Sequence, residues 1–379
     1  MTNHKISKIA ILGNRTSPHV VERAERLRKD ERLSVKIFDG SIYRNSTKNK
    51  KPFLNWVEGK IPKLSTILWL KRRYVDLRLY DPDLIFIMYA DPYSLLLASI
   101  LDKRYIVSAW GGDLLSEQGA LNTISSRAMT RRGLSKADAI YTVSEHLKES
   151  ISELMGNRTY PEPNVQYYGI DLKKYEAEPA GMKQVNREKN IIFYSPRWAL
   201  PIYNIKTVVN AFINLHKKTN KISLIYRDRD LLNSEESMNY GDSLKEKIKQ
   251  ANLADKTKAV GLLSEEQRID MMKECDIVLS FSESDGTPLS LLEAMASGKI
   301  VVCHKIPSIQ DLIDHGNNGF LVDQNNMEEV VELLYHIIQN FDSIVSEVGN
   351  AARKFAEDYA DLELEIDEYK ATFKKIITK

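Results

Sequence analysis

Two rhythms of hydrophobic residues alternate along the chain. Short, almost unbroken apolar runs predict strands at Lys8–Leu12, Ser34–Phe38, Leu84–Met88, Tyr105–Ala109 and Ala139–Val143. Between them lie longer stretches with helical spacing, such as Val20, Ala24 and Leu27 on one face. Apolar runs without polar alternation are the mark of strands covered on both faces, as in parallel sheets. Turn residues punctuate the pattern at Asp81-Pro82-Asp83 and Gly111-Gly112-Asp113, and Ser144 is placed to cap a helix over 145–154. Periodicity fails from 176 to 189, where Pro179, Gly181 and charged residues gather. It resumes with strands predicted at Ile191–Tyr194, Ile222–Tyr226, Ala259–Val260, Ile277–Phe281 and Ile300–Cys303, and the tail from 344 to 379 reads as one long charged helix. The expected fold class is therefore α/β with two Rossmann-like domains. Residues 1–175 form the first, 176–189 a linker, 190–355 the second, and 356–379 a C-terminal helix. Open parallel sheets bind ligands at their strand carboxyl ends, so the expected site is a cleft where two such edges face each other.

Composition narrows this only a little. A chain of 379 residues with 43% hydrophobic and 28% charged residues has enough apolar side chains for two cores, which excludes a disordered protein. The run Ile9–Leu12 is too short for a signal-peptide core and no later run reaches membrane-spanning length, so a cytoplasmic protein is expected. Cys275 and Cys303 sit in apolar surroundings and read as reduced core residues. The net charge of +2 conceals an excess of eight positive charges in residues 1–180 and of six negative ones in the remainder. The basic side is concentrated in residues 44–78, where ten Lys and Arg face only Glu58 and Asp76, with Trp56, Leu68, Trp69 and Leu70 interleaved. Such a segment suits an anionic membrane surface; it equally suits a solvated basic helix whose large apolar residues face the core. No recognised nucleic-acid-binding module accompanies it, so no nucleic-acid partner is expected.

The chemistry gathers in Ser280–Gly298, where a buried strand ends, a glycine turn follows, and a helix opens. Thr287 is expected to cap that helix with Pro288 at its first position. Free amides and the dipole at such a helix start suit a diphosphate. Asp285 ahead of the helix and Glu293 in its second turn would repel phosphate, so their natural partners are vicinal hydroxyls of ribose and sugar.

This segment resembles the donor motif of retaining glycosyltransferase family 4, which has the GT-B fold: an acid, seven residues, then Glu followed by Ala-Met-Ala-x-Gly. Glu293-Ala-Met-Ala-Ser-Gly298 matches fully; the first acid is Asp285 instead of Glu. Further similarities occur in the family's order at Ser17-Pro18-His19, Asp81-Pro82-Asp83, Trp110-Gly111-Gly112-Asp113, Tyr168-Gly169-Ile170-Asp171, Val260-Gly261 and Asn318-Gly319. The resemblance implies that Glu293 holds ribose and Asp285 the transferred sugar. The backbone of Gly286, Thr287, Pro288 and Leu289 would lie beside sugar and diphosphate, and Arg197 would grip phosphate. It implies also that the C-terminal helix packs back on the first domain.

Departures from the family matter as much. Its phosphate-binding Lys is replaced by Tyr203-Asn204, leaving Lys206 as the substitute if the loop bends differently. Its first-loop Gly pair is reduced to Gly13, still able to admit a close backbone approach, and its sugar-side His is Trp110, which leaves Asp113 as an acceptor-side candidate. Neither cysteine has a partner at ligand spacing, so neither a metal nor another cofactor is expected, and Arg197 with the helix start must stabilise the leaving diphosphate. The expected activity is transfer, with retention, from a nucleoside diphosphate sugar to a glycan or lipid-linked acceptor. The expected setting is cell-surface polysaccharide or glycolipid synthesis at the inner membrane face. Two alternatives remain, a nucleotide-sugar 2-epimerase and a catalytically silent partner subunit.

Overall fold

In the computed structural model, the described residues are 6–40, 62–114, 121–175, 190–231 and 233–378. They divide into two α/β units, one of Met1–Tyr167 with Leu362–Lys379 and one of Tyr168–Asp361. The predicted linker at 176–189 and residues 44–61 of the basic segment lie outside the described residues.

The first unit carries strands β1 (Ser7–Gly13), β2 (Leu33–Asp39), β3 (Leu84–Met88), β4 (Tyr105–Ala109), β5 (Ala139–Thr142) and β6 (Asn164–Val165). Between them run helices α1 (Pro18–Arg28), α2 (Pro62–Tyr80), α3 (Pro92–Ile100), α4 (Ile124–Lys136) and α5 (Glu145–Met155). The strands form one parallel sheet in the order β2-β1-β3-β4-β5-β6, with Ile9 opposite Leu84 and Ile85 opposite Tyr105. Every residue of β3 and β4 is buried, as their unbroken apolar runs require. Ser144 caps α5 by accepting from the Leu147 amide. The two-residue β6 is too short to leave a hydrophobic signature.

The second unit carries β7 (Ile191–Ser195), β8 (Ile222–Arg227), β9 (Thr257–Val260), β10 (Ile277–Ser280), β11 (Ile300–His304) and β12 (Phe320–Val322). Its helices are α6 (Ile205–His216), α7 (Glu235–Gln250), α8 (Glu265–Glu274), α9 (Leu289–Ala296), α10 (Pro307–Gln310), α11 (Met327–Gln339), α12 (Phe341–Ile344) and α13 (Asn350–Tyr359). The sheet order is β12-β11-β10-β7-β8-β9, again parallel throughout. The strand order reverses between β7 and β10, and ligands of open α/β sheets collect at such a reversal.

The last helix, α14 (Leu362–Ile377), belongs to the first unit. Its Leu362, Ile366, Tyr369 and Phe373 complete the core around Ile9, Ile11, Phe86 and Met88. Burying each such side chain contributes about 1.5–3 kcal/mol. A buried ion pair also locks α14 to α1, with Arg23 Nε and Nη2 donating to Glu365 at 2.9 and 2.5 Å and Tyr369 donating to the same carboxylate at 2.9 Å.

Three expectations change. The first domain ends at Tyr167 rather than 175, because the segment through the short helix Leu172–Tyr175 packs on the second unit, where Tyr175 meets Glu293. The return to the first unit begins at Leu362 rather than 356, since α13 stays with the second. The tail is also not one helix: a π turn at Val345–Gly349 precedes α13, and the helix breaks at Ala360 and Asp361. There Ile170 bonds to Ala360 O and bridges to Asp361, so tertiary pairing interrupts a sequence that is helical throughout by composition.

Candidate functional site

The second unit's sheet delivers four loops to one edge. β10 ends at Ser280 in a buried apolar run, and Leu291, Leu292 and Ala294–Ala296 bury α9 against the sheet. Gly298, at φ 64, takes the left-handed conformation that ends this helix at low cost. The helix opens one residue later than expected. Pro288 is its cap residue, in extended conformation, and Leu289 its first helical position. A proline has no side-chain acceptor, so the first turn lacks the hydroxyl cap assigned to Thr287. Helix start, Gly286, Thr287, Pro288 and Leu289 thus form one continuous turn with the first-turn amides at the strand reversal.

Asp285 and Arg197 meet in this turn as an ion pair, with both side chains largely buried. Burial pushes the Asp285 carboxyl above the ordinary aspartate range, against the pull of the Arg197 guanidinium. Ser308 pins the turn by donating to Asp285 O at 2.7 Å. Beneath Arg197 lies Tyr203, its ring centroid 4.2 Å from the guanidinium carbon. The residue standing where the resemblance asks for lysine therefore supports the arginine instead. Lys206 lies exposed in the first turn of α6, its backbone amide donating to Tyr240 OH at 2.9 Å.

Glu293 is 6% exposed and accepts from Tyr175 OH at 2.7 Å and from Arg268 Nη1 at 3.2 Å. Both donors converge on Oε1. Oε2 is thereby oriented without being used in either bond. Burial and the neighbouring carboxylate hold the Tyr175 phenol well above its ordinary pKa, so it stays a donor across the working range. Arg353 donates to Tyr175 O and Ala296 O, tying this segment to the end of α9. Tyr175 and Arg268 were missed in the sequence, because partners 118 and 25 residues from Glu293 show no spacing signal.

Arg227 ends β8 and is 2% exposed, with burial lowering its pKa. Its guanidinium carbon lies 3.8 Å from the centroid of the Trp198 ring. Among the described residues, Ser195 Oγ, Arg197 Nε, Arg227 Nε and Ser290 Oγ are buried polar atoms with no hydrogen-bond partner. All four follow or end strands β7 and β8 or open α9. Buried polar atoms are usually paired, so these four leave hydrogen-bonding capacity at this edge that a polar ligand could use.

The other two candidates, Gly13 and Asp113, lie in the first unit. The Asp113 carboxylate is fully buried and accepts from the amides of Ala90 (2.6 Å), Trp110 (3.1 Å) and Gly111 (2.8 Å). It holds a turn in which Tyr89 adopts φ 83, unusual for an aromatic residue, edge-on to Trp110 at 6.4 Å between centroids. Burial raises its pKa against those three amide bonds. Gly13 closes β1, and a Cβ there would stand 3.2 Å from Val20 and 3.5 Å from Met88.

Comparison with known proteins places this geometry. Residues 180–355 match the family described as glycosyl transferases group 1, and residues 8–144 the one described as glycosyl transferase 4-like. The chain belongs to the family 4-type glycosyltransferases. It is 25% identical to the uncharacterized glycosyltransferase MJ1069 of Methanocaldococcus jannaschii over 64% of this chain, and that match spans only 59% of the relative's length. It is 19% identical to the N-acetyl-alpha-D-glucosaminyl L-malate synthase of Bacillus anthracis over 78% of this chain and 75% of that protein. Among solved structures, HepE of Anabaena in complex with UDP and glucose superposes with a TM-score of 0.72 at 16% identity, over 97% of this chain and 100% of that one. The sucrose-phosphate synthase of Thermosynechococcus elongatus gives 0.77 at 14% identity, over 98% and 99%. At these identities the superpositions establish the GT-B fold of this glycosyltransferase and nothing finer.

Proposed function

We propose that this glycosyltransferase moves a sugar, with retention of configuration, from a nucleoside diphosphate sugar to an acceptor hydroxyl in cell-surface polysaccharide or glycolipid assembly. The observation that carries the reading is the turn at the start of α9, flanked by the Arg197–Asp285 pair and the oriented carboxylate of Glu293. The donor diphosphate lies against the first-turn amides and draws Arg197, whose planar fork suits phosphate oxygens. Asp285, released from Arg197, accepts from a hydroxyl of the transferred sugar, and Glu293 Oε2 accepts from the ribose. As the glycosidic bond breaks, negative charge grows on the diphosphate, and these preorganised donors stabilise it. The reading needs neither metal nor prosthetic group. Asp113 holds its turn through three backbone amides, and in this reading its role is to position that turn.

The HepE structure with UDP and glucose and the group 1 match support a nucleotide-sugar donor. Retention rests on the resemblance of Glu293–Gly298 and its preceding acid to the family motif. The decisive test is a thermal-shift screen with UDP, GDP, ADP and TDP sugars, followed by anomeric NMR of the product. One donor should raise Tm, because a ligand bound only by the native state stabilises it. An α-linked donor should then give an α-linked product. Conversion of donor with no acceptor present would indicate an epimerase, and binding without any transfer a silent subunit.

Attachment to the inner membrane face is part of the same reading. On α2, Ile67, Leu68, Val75 and Leu79 are exposed beside the exposed Lys71, Arg72 and Arg78. Arg73, by contrast, is mostly buried and pairs with Asp76. No helix among the described residues is long and apolar enough to cross a membrane. Changing Lys71, Arg72 and Arg78 to Glu should abolish co-sedimentation with anionic vesicles; unchanged sedimentation removes the membrane from the reading.

A further inference from the structure

The carboxyl edge of the second sheet offers more than the diphosphate needs. Reading outward from the strand reversal, the helix start follows β10, Arg197 follows β7, Arg227 ends β8 and Gly261 follows β9. Neighbouring strands stand about 4.8 Å apart, so Arg227 and Gly261 lie one and two strands beyond Arg197. A nucleoside running from that diphosphate towards β9 brings its base over this pair.

The residues there form a base-sized apolar platform on a buried cation. Trp198 is partly exposed, and its ring centroid lies 3.8 Å from the Arg227 guanidinium carbon. Among the described residues Arg227 has no carboxylate partner: Nη2 donates to Gly261 O at 3.0 Å, and Nε is buried without a partner. The nearby Asp228 carboxylate is instead taken by Lys245 and Arg229. Arg227 thus joins Trp198 to the β9 loop. Beside it the loop is open: a Cβ on Gly261 would meet nothing within 4 Å, and Leu262 is 55% exposed. A buried arginine without a counter-ion is costly, and isolated exposed leucines are ordinary. Their coincidence around one partly exposed indole suits a flat heteroaromatic ring.

We propose that Trp198 is the stacking platform for the donor nucleobase, with Arg227 as the positioning residue that holds the indole in place and Gly261–Leu262 as the open wall beside it. This rests on the donor reading above and adds the residues that hold the base. Stacking is tolerant of base identity, since every base presents a π face, so uracil and guanine are both accommodated on the ring itself.

The test compares UDP, GDP and inorganic pyrophosphate on the full chain, by calorimetry and tryptophan fluorescence. UDP or GDP should quench fluorescence and pyrophosphate should not. Trp198→Ala should weaken the nucleoside diphosphate about 5- to 100-fold, the range for loss of one base–aromatic stack. It should leave pyrophosphate affinity unchanged, and Trp198→Phe should recover most of the loss. Arg227→Met should likewise weaken UDP and GDP and raise donor KM, with native circular dichroism. If Trp198→Ala binds UDP and GDP like wild type, the platform is refuted while the donor reading stands. An equal loss of pyrophosphate also overturns it, because Trp198 then acts only by holding Arg197. Should the wild type bind no nucleoside diphosphate, both readings fall.

Discussion

The two units share a six-stranded parallel sheet, but the buried charges around α14 and Asp113 in the first and those at the carboxyl edge of the second are used in opposite ways. In the first, charge is consumed internally: Arg23 closes on Glu365 and Tyr369, and Asp113 is saturated by three backbone amides. In the second, Arg197 and Arg227 stack on aromatic rings with buried Nε atoms unpaired, and Glu293 is gripped through one oxygen only. A self-satisfied network stabilises a fold; an incompletely satisfied one keeps interaction energy for a ligand. The same architecture thus carries a structural anchor in one unit and a binding edge in the other.

This contrast can be broken by mutation. Arg23→Ala strands the Glu365 charge in the core and should lower unfolding stability by about 3–5 kcal/mol. Urea denaturation would measure this, and donor affinity in the surviving native protein should not move. Arg197→Ala reverses the pattern. Transfer should fall about 100- to 1,000-fold, as when one preorganised donor to a developing anion is lost, while the stability cost of leaving Asp285 without its partner is limited because burial already favours the protonated carboxyl. If stability rather than rate collapses, the second unit's edge is structural after all. Asp113→Ala leaves three amides without their acceptor and should cost about 1–3 kcal/mol for the buried polar groups, again without changing nucleotide binding.

Smaller effects sharpen the picture. Tyr175→Phe removes one hydrogen bond to a carboxylate and should weaken donor binding by about 1.5 kcal/mol, near tenfold, in calorimetry. The pH profile should show an acid limb. Asp285 must be ionised to accept from a sugar hydroxyl, and its pKa lies above the ordinary aspartate value. Activity should therefore fall as pH drops through a midpoint higher than that of a free aspartate, and Asp285→Asn should remove the limb together with most of the rate. The smallest expected effect is none: EDTA should leave transfer unchanged. A loss restored by a divalent cation would show that the arginine and the helix start are insufficient.

Much of the fold was legible because parallel strands buried on both faces write uninterrupted apolar runs. Leu84–Met88 and Tyr105–Ala109 were read to the residue, and Ser144 as a cap. Asp285, Glu293 and the turn between them were legible because a helix start follows its strand within a few residues. Distance in sequence hid the rest. Tyr175 and Arg268 reach Glu293, and Trp198 reaches Arg227, through contacts that no periodicity encodes.

The sequence by itself determined two parallel α/β sheets and one phosphate-suited turn, since local hydrophobic rhythm and cap chemistry act over a few residues. Only the tertiary structure decided where the units divide, that the tail breaks at Ala360 to send α14 home, and that Tyr203 supports Arg197. It also decided that Asp113 serves its own backbone. Those outcomes depend on which polar atoms meet once the chain has closed, and burial makes an unmet one too costly for chance.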